Sequence, residues 1–183
     1  LFAACRLGDL QLVKRLLDLP PERGVDVCAW TDFAFREAVR SKHTEVLKLL
    51  LDHARAIIMD PDDLEDSFLE SCRRDEVECA RLLIEYGVDA SMRNNFPLKC
   101  AVMNNNHGVT ELLLGLPPER GVDPRVNDFE LLRWASRYSD GWVASLIRGH
   151  PTMRGDDGLK AYVPTPRKDP EFARALKKMR RRA

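Results

Sequence analysis

The sequence predicts an all-α protein: a stack of about five helix-turn-helix units followed by a basic helical tail. Three observations carry that expectation. A frame of 14 residues recurs as ACRLGDLQLVKRLL from Ala4, AVRSKHTEVLKLLL from Ala38, SCRRDEVECARLLI from Ser71, AVMNNNHGVTELLL from Ala101 and, more weakly, ASRYSDGWVASLIR from Ala135. Successive starts lie 34, 33, 30 and 34 residues apart, and a period near 33 marks a stacked array. The octapeptide LPPERGVD, at Leu19–Asp26 and again at Leu116–Asp123, repeats after 97 residues, which is three of these steps. It is therefore in register with the frame and punctuates it.

Each unit reads as two short helices. The first carries a small pair midway (Ala4 and Cys5, Ala38 and Val39, Ser71 and Cys72, Ala101 and Val102, Ala135 and Ser136), where little side-chain volume lets neighbouring helices approach. A corner follows at Gly8, Lys42, Asp75, Asn105 and Ser139. Gly, Asp and Asn tolerate a left-handed turn at least cost, so three of these suit a tight corner and Lys42 and Ser139 do not. The second helix repeats apolar residues at spacings of three and four: Leu12, Val13, Leu16, Leu17; Val46, Leu47, Leu50, Leu51; Val77, Ala80, Leu83, Ile84; Val109, Leu113, Leu114. That stripe is a packing face. Gly24, Gly87 and Gly121 then stop the helix, and Pro20–Pro21 and Pro117–Pro118 forbid its continuation, so the octapeptide is a helix stop with a short insertion. Two helices of this length cannot bury their apolar faces alone, and stability must come from unit packing on unit. The units are placed at 1–30, 31–63, 64–94, 95–127 and 128–150, with a linker over 151–169 and a basic helical tail over 170–183.

At 183 residues and 44% apolar content, the chain can form one domain or a stack sharing a core. Its 29 basic and 29 acidic residues cancel, yet residues 151–183 hold 10 basic against 4 acidic, leaving 19 against 25 in the body. Cys5, Cys28, Cys72, Cys79 and Cys100 form no CxxC pair, which fits a reducing compartment, hence an intracellular protein of the cytoplasm or nucleus. No run of 18 apolar residues is present, so no membrane span is expected. The chain opens on Leu1, as a piece of a longer protein would.

Over roughly residues 1–150 this frame resembles the ankyrin repeat. FPLKCA at Phe96–Ala101 matches the family's Thr-Pro-Leu-His-x-Ala start at Pro97, Leu98 and Ala101; GVDA and GVDP stand where the family has Gly-Ala-Asp; KHTEVLKLLL at Lys42–Leu51 is similar to the family's second helix. From Asp26 to Ala38, Asp89 to Ala101 and Asp123 to Ala135 there are 12 steps, fewer than the family uses, so short or absent β-hairpins are implied. The resemblance implies a non-catalytic scaffold that holds another protein on its concave face. It places Arg6, Arg40, Arg73, Met103 and Arg137 at the end of the inner helices facing that groove, with Ser41, Arg74, Asn104 and Tyr138 alongside. Trp30, in a loop, joins these as a partner-binding candidate. Arg and Tyr are frequent interface anchors, and a protein with an acidic surface is the expected partner. Two unit charges about 10 Å apart in water repel by only ~0.4 kcal/mol before salt screening. On that ground, reversing Arg40 and Arg73 to Glu is expected to leave stability nearly unchanged.

No catalytic, cofactor or metal residue is singled out. His43, His53, His107 and His150 are scattered over different units without metal-ligand spacing to the cysteines, and Cys5 and Cys72 share a small core position. GDDG at Gly155–Gly158 lacks the remaining ligands of a calcium loop and reads as a turn. Asp60, Asp62, Asp63, Glu65 and Asp66 read as helix capping, and Trp134 and Trp142 as packing residues. In the tail, Asp169 and Pro170 start a helix bearing Lys177, Lys178, Arg180, Arg181 and Arg182, a cluster suited to nuclear import, nucleic acid or an anionic membrane surface. The alternative function is thus a nucleic-acid-associated protein contacting its target through the tail only, or a targeting module of a larger protein. A monomer is expected.

Overall fold

Helix α1 (Phe2–Leu7) turns through Gly8 into α2 (Leu10–Leu17), and the same turn recurs between α3 (Thr31–Arg40) and α4 (Thr44–Ala56), α5 (Glu65–Arg74) and α6 (Val77–Tyr86), and α7 (Met92–Met103) and α8 (His107–Leu114). A helical segment at 131–136, α9, precedes α10 (Trp142–Gly149). The computed structural model describes residues 1–19, 31–117, 120, 122–124, 131–136 and 141–150, with the side chains of residues 31 and 32 outside the description. Among the described residues there is no strand, and no helix is long and apolar enough to cross a membrane.

The corners have a single construction. Gly8 (φ 71°), Lys42 (60°), Asp75 (59°) and Asn105 (57°) are all left-handed. The N–H of the next residue reaches back to the frame's first carbonyl: Asp9 to Ala4 at 3.0 Å, His43 to Ala38 at 3.0 Å, Glu76 to Ser71 at 3.0 Å, Asn106 to Ala101 at 2.9 Å. This bond closes a helix end that would otherwise leave its carbonyl unsatisfied. Lys42 departs from the sequence reading, which judged lysine a poor corner residue. It adopts the left-handed form all the same, with its Nζ 2.8 Å from Glu76 Oε1 in the next unit. Ser139 lies outside the described residues.

The odd-numbered helices pack in one row, α1 on α3, α3 on α5, α5 on α7; the even-numbered pack in a second, α2 on α4, α4 on α6, α6 on α8, α8 on α10. Burial depends on having a preceding unit. Val46, Cys79, Val109 and Val143 occupy one frame position and are buried, whereas Leu12 at that position in the first unit is 43% exposed. Phe35, Phe68, Leu98 and Leu132 are likewise fully buried where Leu1 is half-buried. The apolar stripe predicted for α2 is accordingly only partly covered. Hydrogen bonds between units span one period, from 27 residues for Tyr86 Oη to the Met59 carbonyl to 37 for His43 Nε2 to the Arg6 carbonyl. Between these limits, Asn106 Nδ2 donates to the Cys72 carbonyl at 2.7 Å and the Val109 N–H to Asp75 Oδ1 at 2.8 Å. Each unit is tied to the one before it.

The segments before α5 (57–64) and α7 (87–91) are short. Asp60 accepts from the Asp62 N–H at 3.0 Å and Pro61 opens the 3-10 turn Pro61–Leu64, which bears out the capping role of that acid. Arg93, Asn94 and Asn95 are left-handed in succession (φ 51°, 58° and 59°), after which Pro97 falls in the first turn of the regular helix, where a missing N–H costs little. Asn95 is buried there and donates from Nδ2 to the Asp123 carbonyl at 2.6 Å. Trp134 packs on the core, while Trp142 is partly exposed and stacks on His107 with centroids 4.6 Å apart.

Candidate functional site

Glu70 sits midway along α5, one position before the small pair Ser71–Cys72, with a side chain only 9% exposed. Its Oε1 accepts from Arg40 Nε at 3.0 Å and from Arg74 Nε at 2.6 Å, and its Oε2 is 3.7 Å from Arg73 Nη1. Arg73 and Arg74 come from Glu70's own helix at helical spacings of three and four; Arg40 comes from the end of α3, one unit earlier. Burial alone would raise the Glu70 carboxyl, but hydrogen bonds from Arg74 and Arg40, with the charges of both, outweigh it and hold the group below its ordinary range. Glu70 therefore remains an anion at neutral pH. The arginines keep 38 to 45% of their side-chain surface in water, so the carboxylate aims them while leaving them accessible. Charge-assisted bonds of this kind fix orientation as well as energy.

Sequence reading expected a stripe of arginines across the groove, either solvated, locally paired or partner-binding; the structure brings Arg40, Arg73 and Arg74 together on one carboxylate. Glu70 was missed. Its signal was present in the spacing of Glu70 to Arg73 and Arg74, but the link to Arg40 crosses units. The other candidates fall elsewhere. Arg6 is exposed on α1, and its carbonyl accepts from His43 Nε2 at 3.1 Å, which places the proton on that nitrogen. Ser41 is half-buried, its N–H donating to the Glu37 carbonyl at 3.0 Å. Met103 is half-buried, and Asn104 folds back to donate from Nδ2 to the Cys100 carbonyl at 2.7 Å. Trp30, Arg137, Tyr138 and the tail residues Lys177, Lys178, Arg180, Arg181 and Arg182 lie outside the described residues.

No protein-family model matches the chain, and no curated protein matches it.

Around the arginines the row continues with Arg36, 3.7 Å from Asp66, and Lys42 on Glu76. Arg93 reaches Glu65, so Glu65 and Asp66, which make no capping hydrogen bond at the start of α5, serve as ion-pair partners instead. Burial pushes Cys5 and Cys79 up to about 11 and raises Cys72 and Cys100 as well, which disfavours the thiolate at these four positions. Cys28 lies outside the described residues.

Proposed function

We propose that the chain is a non-catalytic scaffold of ankyrin type, a solenoid of about five units that holds another protein against the row formed by α1, α3, α5 and α7. The period near 33 residues, the repeated left-handed corner and the two rows of helices support the architectural part of this reading. The functional part rests on one observation: Arg40, Arg73 and Arg74 are aimed by a buried carboxylate yet remain open to solvent. Three guanidinium groups around one carboxylate leave two positive charges on this face, which attracts an acidic protein surface and steers its approach. A pull-down with the full chain, compared with an Arg73→Gln, Arg74→Gln variant at low and high salt, tests it. The wild-type chain should retain a partner at low salt that both the variant and high salt release. An identical set of captured proteins in all arms would refute the proposal.

A further inference from the structure

The same row of helices presents a second surface feature. Phe2 and Phe33 are 36% and 49% exposed, with rings meeting edge to face at 5.4 Å. Isolated apolar residues on a surface call for no explanation, whereas two large aromatics side by side form a patch that can accept a partner's apolar group. Arg36 lies 4.9 Å over the Phe33 ring and is 3.7 Å from Asp66, so charge at this end is compensated.

The patch and the arginine cluster belong to one surface. Phe33, Arg36 and Arg40 follow one another along α3 at spacings of three and four, as Asp66, Glu70 and Arg73 do along α5. The pairs Arg36–Asp66 and Arg40–Glu70 join the two stripes rung by rung. Seven helical positions separate Phe33 from Arg40, a rise of about 10 Å. The surface is thus apolar and charge-compensated at one end, and carries two uncompensated positive charges at the other.

We infer that this seam binds an extended protein segment carrying an apolar or aromatic side chain and, about 10 Å away, a carboxylate, which at about 3.3 Å per residue is a separation of three residues. The inference rests on the scaffold reading and adds the chemistry of the partner. The apolar group covers the Phe2–Phe33 patch, and the carboxylate takes guanidinium donors that Glu70 leaves unused, in the bidentate manner arginine favours. An extended segment reaches from the patch to the arginines with three residues, along the line where α3 and α5 pack directly on each other. A nucleic acid fits poorly. Its regular phosphates would meet Asp62 and Asp63 in the 3-10 turn and Asp66 at the start of α5.

A phage-displayed library of random dodecapeptides, panned on the full chain and in parallel on Phe33→Ser and on Arg73→Gln, Arg74→Gln, tests this. Each variant is panned below the onset of its own melting transition, with circular dichroism confirming the parent's helix content, because removing partners of Glu70 lowers the melting temperature. Peptides recovered on the parent should place Asp or Glu two to four positions from Phe, Leu or Trp, and a synthetic copy should bind each variant at least about tenfold more weakly. Acidic peptides without an apolar residue, lost only on the arginine variant, would leave the scaffold reading intact and overturn this inference. Enrichment of Lys and Arg, or no shared motif at all, would overturn it too.

Discussion

Arg40 donates its Nε proton to Glu70 at 3.0 Å, although 30 residues separate them along the chain. That bond couples one unit to the next and turns a guanidinium toward solvent in a set direction. It also changes the electrostatic problem. Arginines that would face one another through water instead share a buried counter-charge, and the weak repulsion expected of them ceases to be the relevant quantity.

Glu70→Ala should therefore destabilise the protein. Two charge-assisted hydrogen bonds disappear, each worth about 1.5 to 3 kcal/mol when buried, but the half-exposed arginines can turn to water, which holds the loss to about 1 to 3 kcal/mol. Urea unfolding followed by circular dichroism measures it. Arg40→Glu with Arg73→Glu should also destabilise, because it sets like charges beside a buried carboxylate; the near-neutral outcome expected from sequence is thereby revised.

Stability should depend on pH through the same group. The folded-state pKa of Glu70 is lowered, so its contribution is fully present above the ordinary value near 4.5 and is lost as pH falls from there through the folded value. Glu70→Gln lacks this component. The difference in melting temperature between parent and variant should be constant from neutral pH down to about 5 and shrink in more acidic buffer.

Leu50→Ala should cost about 2 to 5 kcal/mol, since Leu50 is fully buried between units. Leu12→Ala, the same chemistry on a partly exposed helix, should cost little more than about 0.5 kcal/mol. Calorimetry on the pair separates burial by a neighbour from apolar character alone.

Gly8→Ala should destabilise by about 1 to 3 kcal/mol, the combined cost of a left-handed alanine and a displaced neighbour. A Cβ there would stand 2.6 Å from His43 Cε1, forcing the ring off the Arg6 carbonyl. Lys42→Gly should not destabilise. Relief of a left-handed lysine gains about 1 kcal/mol, which offsets the loss of a pair whose lysine is exposed but whose Glu76 side chain is only 13% exposed, worth on the order of 1 kcal/mol. Thermal unfolding of the two variants should move in opposite directions or leave Lys42→Gly unchanged.

In a Cys28→Ser background, N-ethylmaleimide at mildly alkaline pH should leave Cys5, Cys72, Cys79 and Cys100 unlabelled until denaturant is added. Intact-mass spectrometry reads the result. Rapid modification of the native protein would show that at least one of these thiols is open to solvent.

Most of the helical design was legible in sequence. The small residues that open the frame, Ala4, Ala38, Ser71 and Ala101, supply the carbonyls that close every described corner, and Gly8, Asp75 and Asn105 are the left-handed residues their chemistry suggested. Lys42 escaped because a corner's geometry is imposed by the helices on either side, and the chain accepts a poor residue when its neighbours determine the path. Leu12 escaped because periodicity reports which face is apolar, without saying what covers it. Of the candidate site, Arg40, Arg73 and Arg74 were named and Glu70 was not.

The period, the paired helices and their corners were determined by the sequence alone, since each depends on residues within a few turns of one another. Which arginines meet, which carboxylate aims them and where Phe2 comes to rest against Phe33 were decided only by the tertiary structure. The physical reason is that Arg40 and Glu70 become neighbours when α3 packs on α5, and the energy of that packing is spread over buried side chains in both units, with no short stretch of chain encoding it.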